Sequence, residues 1–159
     1  MRDAETERFR GAVQHFIRSF GLLAGDQTPC GEPLAVSHAH ALQVLLERQT
    51  GGPITQQALA ELLGIDKSNV TRLCSKMERS GHIERLRSPS DGRARPLTLT
   101  AKGRRVAERV SAASRARFTD VLEALPSAAR RQAVIEALEC LNGALATLAR
   151  KGESWGRTA

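Results

Sequence analysis

Sixteen residues, Ser88 to Gly103, read S-P-S-D-G-R-A-R-P-L-T-L-T-A-K-G, and few architectures accommodate such a run. Pro89, Asp91 and Gly92 supply turn chemistry, and Arg93 and Arg95 load the turn with positive charge. Leu97 and Leu99 then alternate with Thr98 and Thr100 as a half-buried strand does. With His82 to Leu86 as the outgoing strand, the segment is a hairpin with a basic tip. Two short helical patterns lie just upstream. Helix, turn, helix and hairpin in that order make a winged helix-turn-helix, so the expected class is mainly α with a small β-wing.

The helical patterns carry their own boundary signals. Thr55 precedes Gln56-Gln57-Ala58 as an N-cap, and the helix it opens runs to Leu63. Gly64-Ile65-Asp66 turns the chain, and Asp66 or Ser68 caps a helix from about Lys67 to Ser80 that Gly81 ends. In that helix Val70, Leu73, Cys74 and Met77 fall on one apolar stripe at i, i+3, i+4 and i+7. The other side presents Ser68, Asn69, Thr71, Arg72, Ser75 and Lys76. Arginine suits guanine acceptors, asparagine suits adenine, and hydroxyls suit phosphate oxygens, so this is the expected recognition helix.

Charge placement separates that reading from an ordinary solvated face. From Asp66 to Arg105 eleven basic residues stand against four acids, an excess equal to the whole chain's net charge of +7. The flanking segments are therefore neutral on balance, and the excess is a footprint for a polyphosphate such as double-stranded DNA. Arg87, Asp91, Arg93 and Arg95 place the wing in the same interface.

Outside this module the chain is helical. Phe9, Val13, Phe16, Ile17 and Phe20 mark an amphipathic helix from about Glu5 to Leu23, and Gly25 to Pro33 is a loop by composition. Ser37 is the expected cap of a helix carrying Ala41, Leu42, Leu45 and Leu46, stopped by Gly51-Gly52-Pro53. After the wing, Thr100 caps a helix from about Ala101 to Leu125, and Pro126 interrupts it. In a last helix, about Ser127 to Arg150, Val134, Leu138, Leu141, Leu145 and Leu148 step by 4, 3, 4 and 3, the seam of a helix that packs on another. A length of 159 residues suits one domain, with a winged module over about 37–100 and helices over about 5–36 and 101–150 left for dimerisation.

Taken in sequence, T-Q-Q-A-L-A-E-L-L-G, D-K-S-N-V-T-R-L and D-G-R-A-R-P-L-T-L-T-A-K-G with two closing helices resemble the MarR family of bacterial transcriptional regulators. The sharpest part is D-x-R followed by L-T-x-x-G, filled here by Asp91, Arg93, Leu99, Thr100 and Gly103. The resemblance implies that Arg93 enters the minor groove while Asp91 holds the wing. It also implies a homodimer whose terminal helices interdigitate, with recognition helices about 34–36 Å apart on a palindromic operator. Finally it implies a repressor released by a small-molecule effector. With no Tyr in the chain, a tyrosine-lined phenolic pocket is not available, and Phe16, Phe20, His38 and His40 become the candidate pocket residues.

Two sharper chemistries compete with this reading. Cys30, Glu32, His38 and His40 lie within eleven residues and form a donor mixture that zinc accepts, yet no His follows His82, and His38 and His40 diverge on a helix. A metal- or redox-responsive regulator using Cys30, His38 and His40 is the alternative, and a thiol or metal-dependent enzyme stands further off. Neither a nucleophile elbow nor a glycine-rich phosphate loop occurs, and no cofactor is called for. Cys30, Cys74 and Cys140 are odd in number and widely spaced, as thiols of a reducing compartment are. The N-terminus is charged, and no apolar run approaches the roughly 18 residues of a spanning helix. The expectation is a cytoplasmic, nucleoid-associated protein without membrane contact.

Overall fold

A computed structural model describes residues 2–86 and 96–150. Elements follow as α1 (Arg2–Phe20), α2 (Val36–Glu47), a 3-10 turn (Arg48–Gly51), α3 (Gln56–Leu63), α4 (Lys67–Arg79), β1 (Ile83–Arg85), β2 (Leu97–Leu99), α5 (Ala101–Glu123) and α6 (Ala128–Arg150). The chain forms two compact units, Met1–Arg117 and Phe118–Ala159.

The first unit holds the core. Leu42 and Leu45 of α2, Leu59 of α3, Val70, Leu73, Cys74 and Met77 of α4, Ile83, Leu97 and Leu99 of the strands, and Val106 and Val110 of α5 are all buried together. Each fully enclosed side chain of this size contributes about 1.5–3 kcal/mol. The expected stripe on α4 is therefore what anchors that helix and turns its polar side outward. Strands β1 and β2 pair antiparallel, Ile83 with Leu99 and Arg85 with Leu97, and Ile54 adds a bridge on the other side of Leu97.

Local signals explain most of the boundaries. Thr55 Oγ1 accepts the Ala58 N–H at 3.1 Å, and Thr100 Oγ1 accepts the Gly103 N–H at 3.0 Å. Ser127 Oγ accepts the Arg130 N–H at 3.2 Å. Between α3 and α4 the chain reverses at Gly64 with φ +64°, a left-handed conformation that a β-carbon disfavours. Ser37 corrects an expectation: it lies within the first turn of α2 and caps nothing, because the cap position is Ala35, two residues earlier, without a side-chain cap. The backbone sets that start. Leu34 N–H folds back on the Glu32 carbonyl (2.8 Å), and the Ala35 carbonyl then accepts from His38 and Ala39.

A pair of histidines joins three elements. His38 of α2 and His82, between α4 and β1, are 1% and 7% exposed, and His38 Nε2 lies 2.9 Å from His82 Nδ1. His38 Nδ1 has no hydrogen-bond partner among the described residues. A bare buried acceptor costs less than a bare buried donor, so the assigned tautomer has His38 donating through Nε2–H to His82 Nδ1. Burial first, then the nearby His82 and Lys76 charges, lower the His38 pKa to about 4. Burial, with Lys102 and Arg109, lowers that of His82 as well.

That arrangement sets a sign for pH dependence. Both folded pKa values lie below the unfolded value of 6.5, so the folded state takes up protons less readily. Stability is fully present above pH 6.5 and declines as pH falls toward about 4, with His38 alone accounting for at most about 3 kcal/mol. Urea unfolding of the parent and of His38→Gln across this window checks it. The variant's curve is expected to be flatter, and parallel curves would remove the histidines from the account.

The second unit is different in kind. None of its described residues is buried, although Phe118, Val121, Val134, Ile135, Leu138 and Leu145 are large and apolar. Of the expected seam on α6, Leu138 and Leu145 are exposed, Leu141 and Leu148 are half-buried, and none is buried among the described residues. On α1 of the first unit, Phe9 and Phe16 are likewise half-exposed.

Candidate nucleic-acid interface

The outward side of α4 is organised from its N-terminus. Asp66 is the cap, its carboxylate accepting the backbone N–H groups of Ser68 and Asn69, each at 2.8 Å. The same carboxylate also accepts the Ser68 hydroxyl at 2.7 Å and the Asn69 side-chain amide. Bonding from the Asn69 N–H and the Ser68 hydroxyl holds the Asp66 pKa down to about 2, so the cap stays ionised throughout the neutral range.

Arg72 completes a fan. Its guanidinium donates to Ser68 Oγ at 3.3 Å and Asn69 Oδ1 at 3.2 Å, one turn back on the helix. Ser68, Asn69 and Arg72 are all exposed, so their contacts with one another replace water and leave the group preset for a ligand. Asn69 is more committed than its sequence position suggests. With its amide N–H on Asp66 and its oxygen on Arg72, a bidentate adenine contact requires both bonds to be exchanged.

Thr71 and Lys76 are exposed on the same helix and Ser75 is half-buried. Thr71 is engaged inward: its hydroxyl donates to the Lys67 carbonyl at 2.7 Å and accepts from Gln56 Nε2 at 2.8 Å. Of the wing residues, Arg87, Asp91, Arg93 and Arg95 lie outside the described residues. The roots of the wing are described, and Leu86 N–H bonds the Pro96 carbonyl at 2.8 Å.

Two residues whose roles the sequence does not announce belong to the frame of this face. Arg85 ties β1 to Glu78 and Gln56, at 2.8 and 3.0 Å. Gly103 lies against the His82 backbone, where an added β-carbon would stand 1.8 Å from the carbonyl oxygen. Counting charges gave no hint of the first, since Arg85 looks like any other cation of the basic cluster. The second was visible as a motif glycine without a stated reason.

The remaining candidates are dispersed. Phe16 and Phe20 stack on each other at 5.2 Å along α1. His38 is enclosed with His82, while His40 is exposed. Cys30 Sγ sits 3.0 Å from Thr28 Oγ1, and Glu32 is paired with Arg109 at 3.2 Å. Cys30, Glu32, His38 and His40 thus do not converge, and among the described residues no three His, Cys, Asp or Glu side chains gather as a metal-binding group. No described helix is long and apolar enough to cross a membrane.

Similarity to known proteins follows the same module. The family model described as MarR family matches residues 36–94. The uncharacterized HTH-type transcriptional regulator YfiV of Bacillus subtilis is 30% identical over 104 residues, 65% of this chain and 64% of that protein. The chain spans less than two thirds of the length of the curated relatives it matches. Among solved structures, the transcriptional repressor CouR bound to a 23-mer DNA duplex superposes with a TM-score of 0.64 at 27% identity, over 85% of this chain and 89% of CouR. The PcaV regulator of Streptomyces coelicolor, in complex with its natural ligand, gives 0.66 at 22% identity over 84% of this chain and 90% of PcaV, a likeness of fold alone. The capped helix-turn-helix and the first wing strand lie within residues 36–94, the stretch that is similar to the MarR family.

Proposed function

We propose that this protein is a sequence-specific regulator of transcription that binds double-stranded DNA as a homodimer and represses until a small molecule releases it. The observation that carries the reading is the α4 surface. Its apolar stripe is sealed in the core, while Asp66 holds Ser68 and Asn69 and these two in turn hold the Arg72 guanidinium on the exposed side. A polar face prearranged in this way discriminates between base edges at little entropic cost. The DNA duplex held by CouR supports the DNA partner. Such a protein works in the cytoplasm at the nucleoid and carries out no catalysis. The wing supplies the second contact, with Arg93 in the minor groove and Asp91 bracing the loop.

Selection from a random duplex pool, followed by salt titration, tests this. A palindrome with half-sites one helical turn apart is expected, with affinity falling steeply as salt rises. Absence of any preferred sequence, or affinity indifferent to salt, would overturn the proposal.

Division of labour on α4 gives a finer expectation. Arg72→Ala removes a base-reading guanidinium and is expected to flatten the preference at its base pair by about 1–3 kcal/mol. Lys76→Ala is expected to weaken all duplexes alike and to lower the salt slope by about one. Base-preference profiles of the two variants check both, and interchange of the two phenotypes would reverse the assignment.

A further inference from the structure

Arg85 lies in the basic cluster by sequence, yet its surroundings are those of a frame residue. On β1 the alternation is Ile83 buried, Glu84 exposed and Arg85 half-buried, so Arg85 shares the inward side of the strand with Ile83. Its guanidinium donates Nε–H to Glu78 Oε1 of α4 at 2.8 Å and Nη1–H to Gln56 Oε1 of α3 at 3.0 Å. The ion pair is largely sheltered, with side-chain exposures of 25% and 33%. From Gln56 the chain of bonds continues through Nε2 to Thr71 Oγ1, and from Thr71 to the Lys67 carbonyl at the start of α4.

The relay therefore reaches from a wing strand to the outer face of the recognition helix through one residue at the start of α3. We infer that Arg85 is a positioning residue, which couples the placement of the wing to that of α4 through Gln56 and Thr71 and makes no phosphate contact. This rests on the DNA-binding reading above. Its physical content is that a planar fork, and not a positive charge, is required at position 85: one edge must meet a carboxylate while another meets an amide oxygen. Thr71 follows from the same geometry. With its proton on the Lys67 carbonyl and a lone pair taken by Gln56, it acts on DNA through where it holds the helix and not as a hydroxyl donor to phosphate.

Salt dependence separates the two roles, because each phosphate contact contributes about 0.9 to the slope of log affinity against log salt. Arg85→Gln, Arg85→Lys and Gln56→Met are to be measured against a selected duplex and a scrambled one over a salt series, with thermal melts to establish folding. Both Arg85 variants are expected to lose about tenfold in discrimination between the duplexes, while keeping the parent slope. Lys keeps the charge and loses the fork, so it is not expected to rescue. Gln56→Met removes only the bridging amide from the first turn of α3 and is expected to reproduce the loss if the Arg85 variants fold poorly. A slope lowered by about 0.9 in Arg85→Gln, rescue by Lys, or unchanged discrimination in Gln56→Met would each overturn the inference. Failure of the parent itself to bind duplex in a salt-dependent manner would instead sink the DNA-binding reading.

Discussion

Replacing Gly103 by alanine is expected to destabilise the first unit by about 3 kcal/mol or more, lowering the melting temperature by roughly 6–12 °C. The reason is steric. A β-carbon at position 103 would lie 1.8 Å from the His82 carbonyl oxygen and 2.6 Å from its carbon, and both are backbone atoms that no rotamer change can move aside. The His82 carbonyl is also fixed by the Thr100 N–H at 3.1 Å. Around it, Thr100 Oγ1 donates to the Gly81 carbonyl at 2.6 Å, and Lys102 Nζ donates to the Ser80 carbonyl at 2.8 Å. The first turn of α5 is thus stitched to the end of α4, and the methyl group would pry the two apart. Alanine's better helix propensity returns at most about 1 kcal/mol. Gly143→Ala is the control, since nothing lies within 4 Å of that site in α6, and it is expected to be neutral or slightly stabilising. Differential scanning calorimetry of both variants decides the matter, and equal melting temperatures would show that the α4–α5 junction yields easily.

Much of this fold is legible in the sequence because local chemistry dictates it. Thr55, Asp66 and Thr100 cap their helices as expected, since an oxygen on a short side chain meets the free N–H groups without help from elsewhere in the fold. Val70, Leu73, Cys74 and Met77 are buried because their spacing leaves them one side to occupy. Ser37 has the same chemistry as those caps and does not act, because the backbone turn at Glu32 to Leu34 has already begun α2.

Long-range pairings were not legible at all. His38 and His82 are 44 residues apart, and Arg85 and Gln56 are 29 apart. Nothing in the neighbours of either residue announces its partner. The pairing of His38 with His82 removes His38 from any open pocket, while the pairing of Arg85 changes a counted cation into a brace. Net charge over a segment remains a sound guide to the class of partner, but it overstates the number of cations that meet it. Arg85 and Lys102 are both engaged within the module.

Placing an aspartate at Leu138 or Leu145 is expected to abolish the dimer at micromolar concentration and to weaken binding to a palindromic duplex by roughly 10²–10⁴-fold. Leu138 and Leu145 are 50% and 47% exposed, and Val134 and Ile135 beside them are 40% and 38% exposed. In the proposed homodimer, leucines at heptad steps that are not buried among the described residues of their own unit would gain their burial from a second copy of the chain. A charge in the middle of that contact must be desolvated without a partner, and the interface opens before it accepts that cost. The effect on DNA follows from geometry. Under the proposed dimeric binding, a monomer would hold one half-site, and the second recognition helix would lose the high local concentration that its twin provides. Folding of α6 itself is expected to survive, since an exposed Leu→Asp change alters helix propensity by well under 1 kcal/mol. Sedimentation analysis and titration of the selected duplex, with circular dichroism for helix content, check all three statements. A parent that sediments as a monomer, or a Leu138→Asp variant that keeps both its dimer and its affinity, would detach the α6 seam from dimerisation and leave its exposed leucines to some other partner.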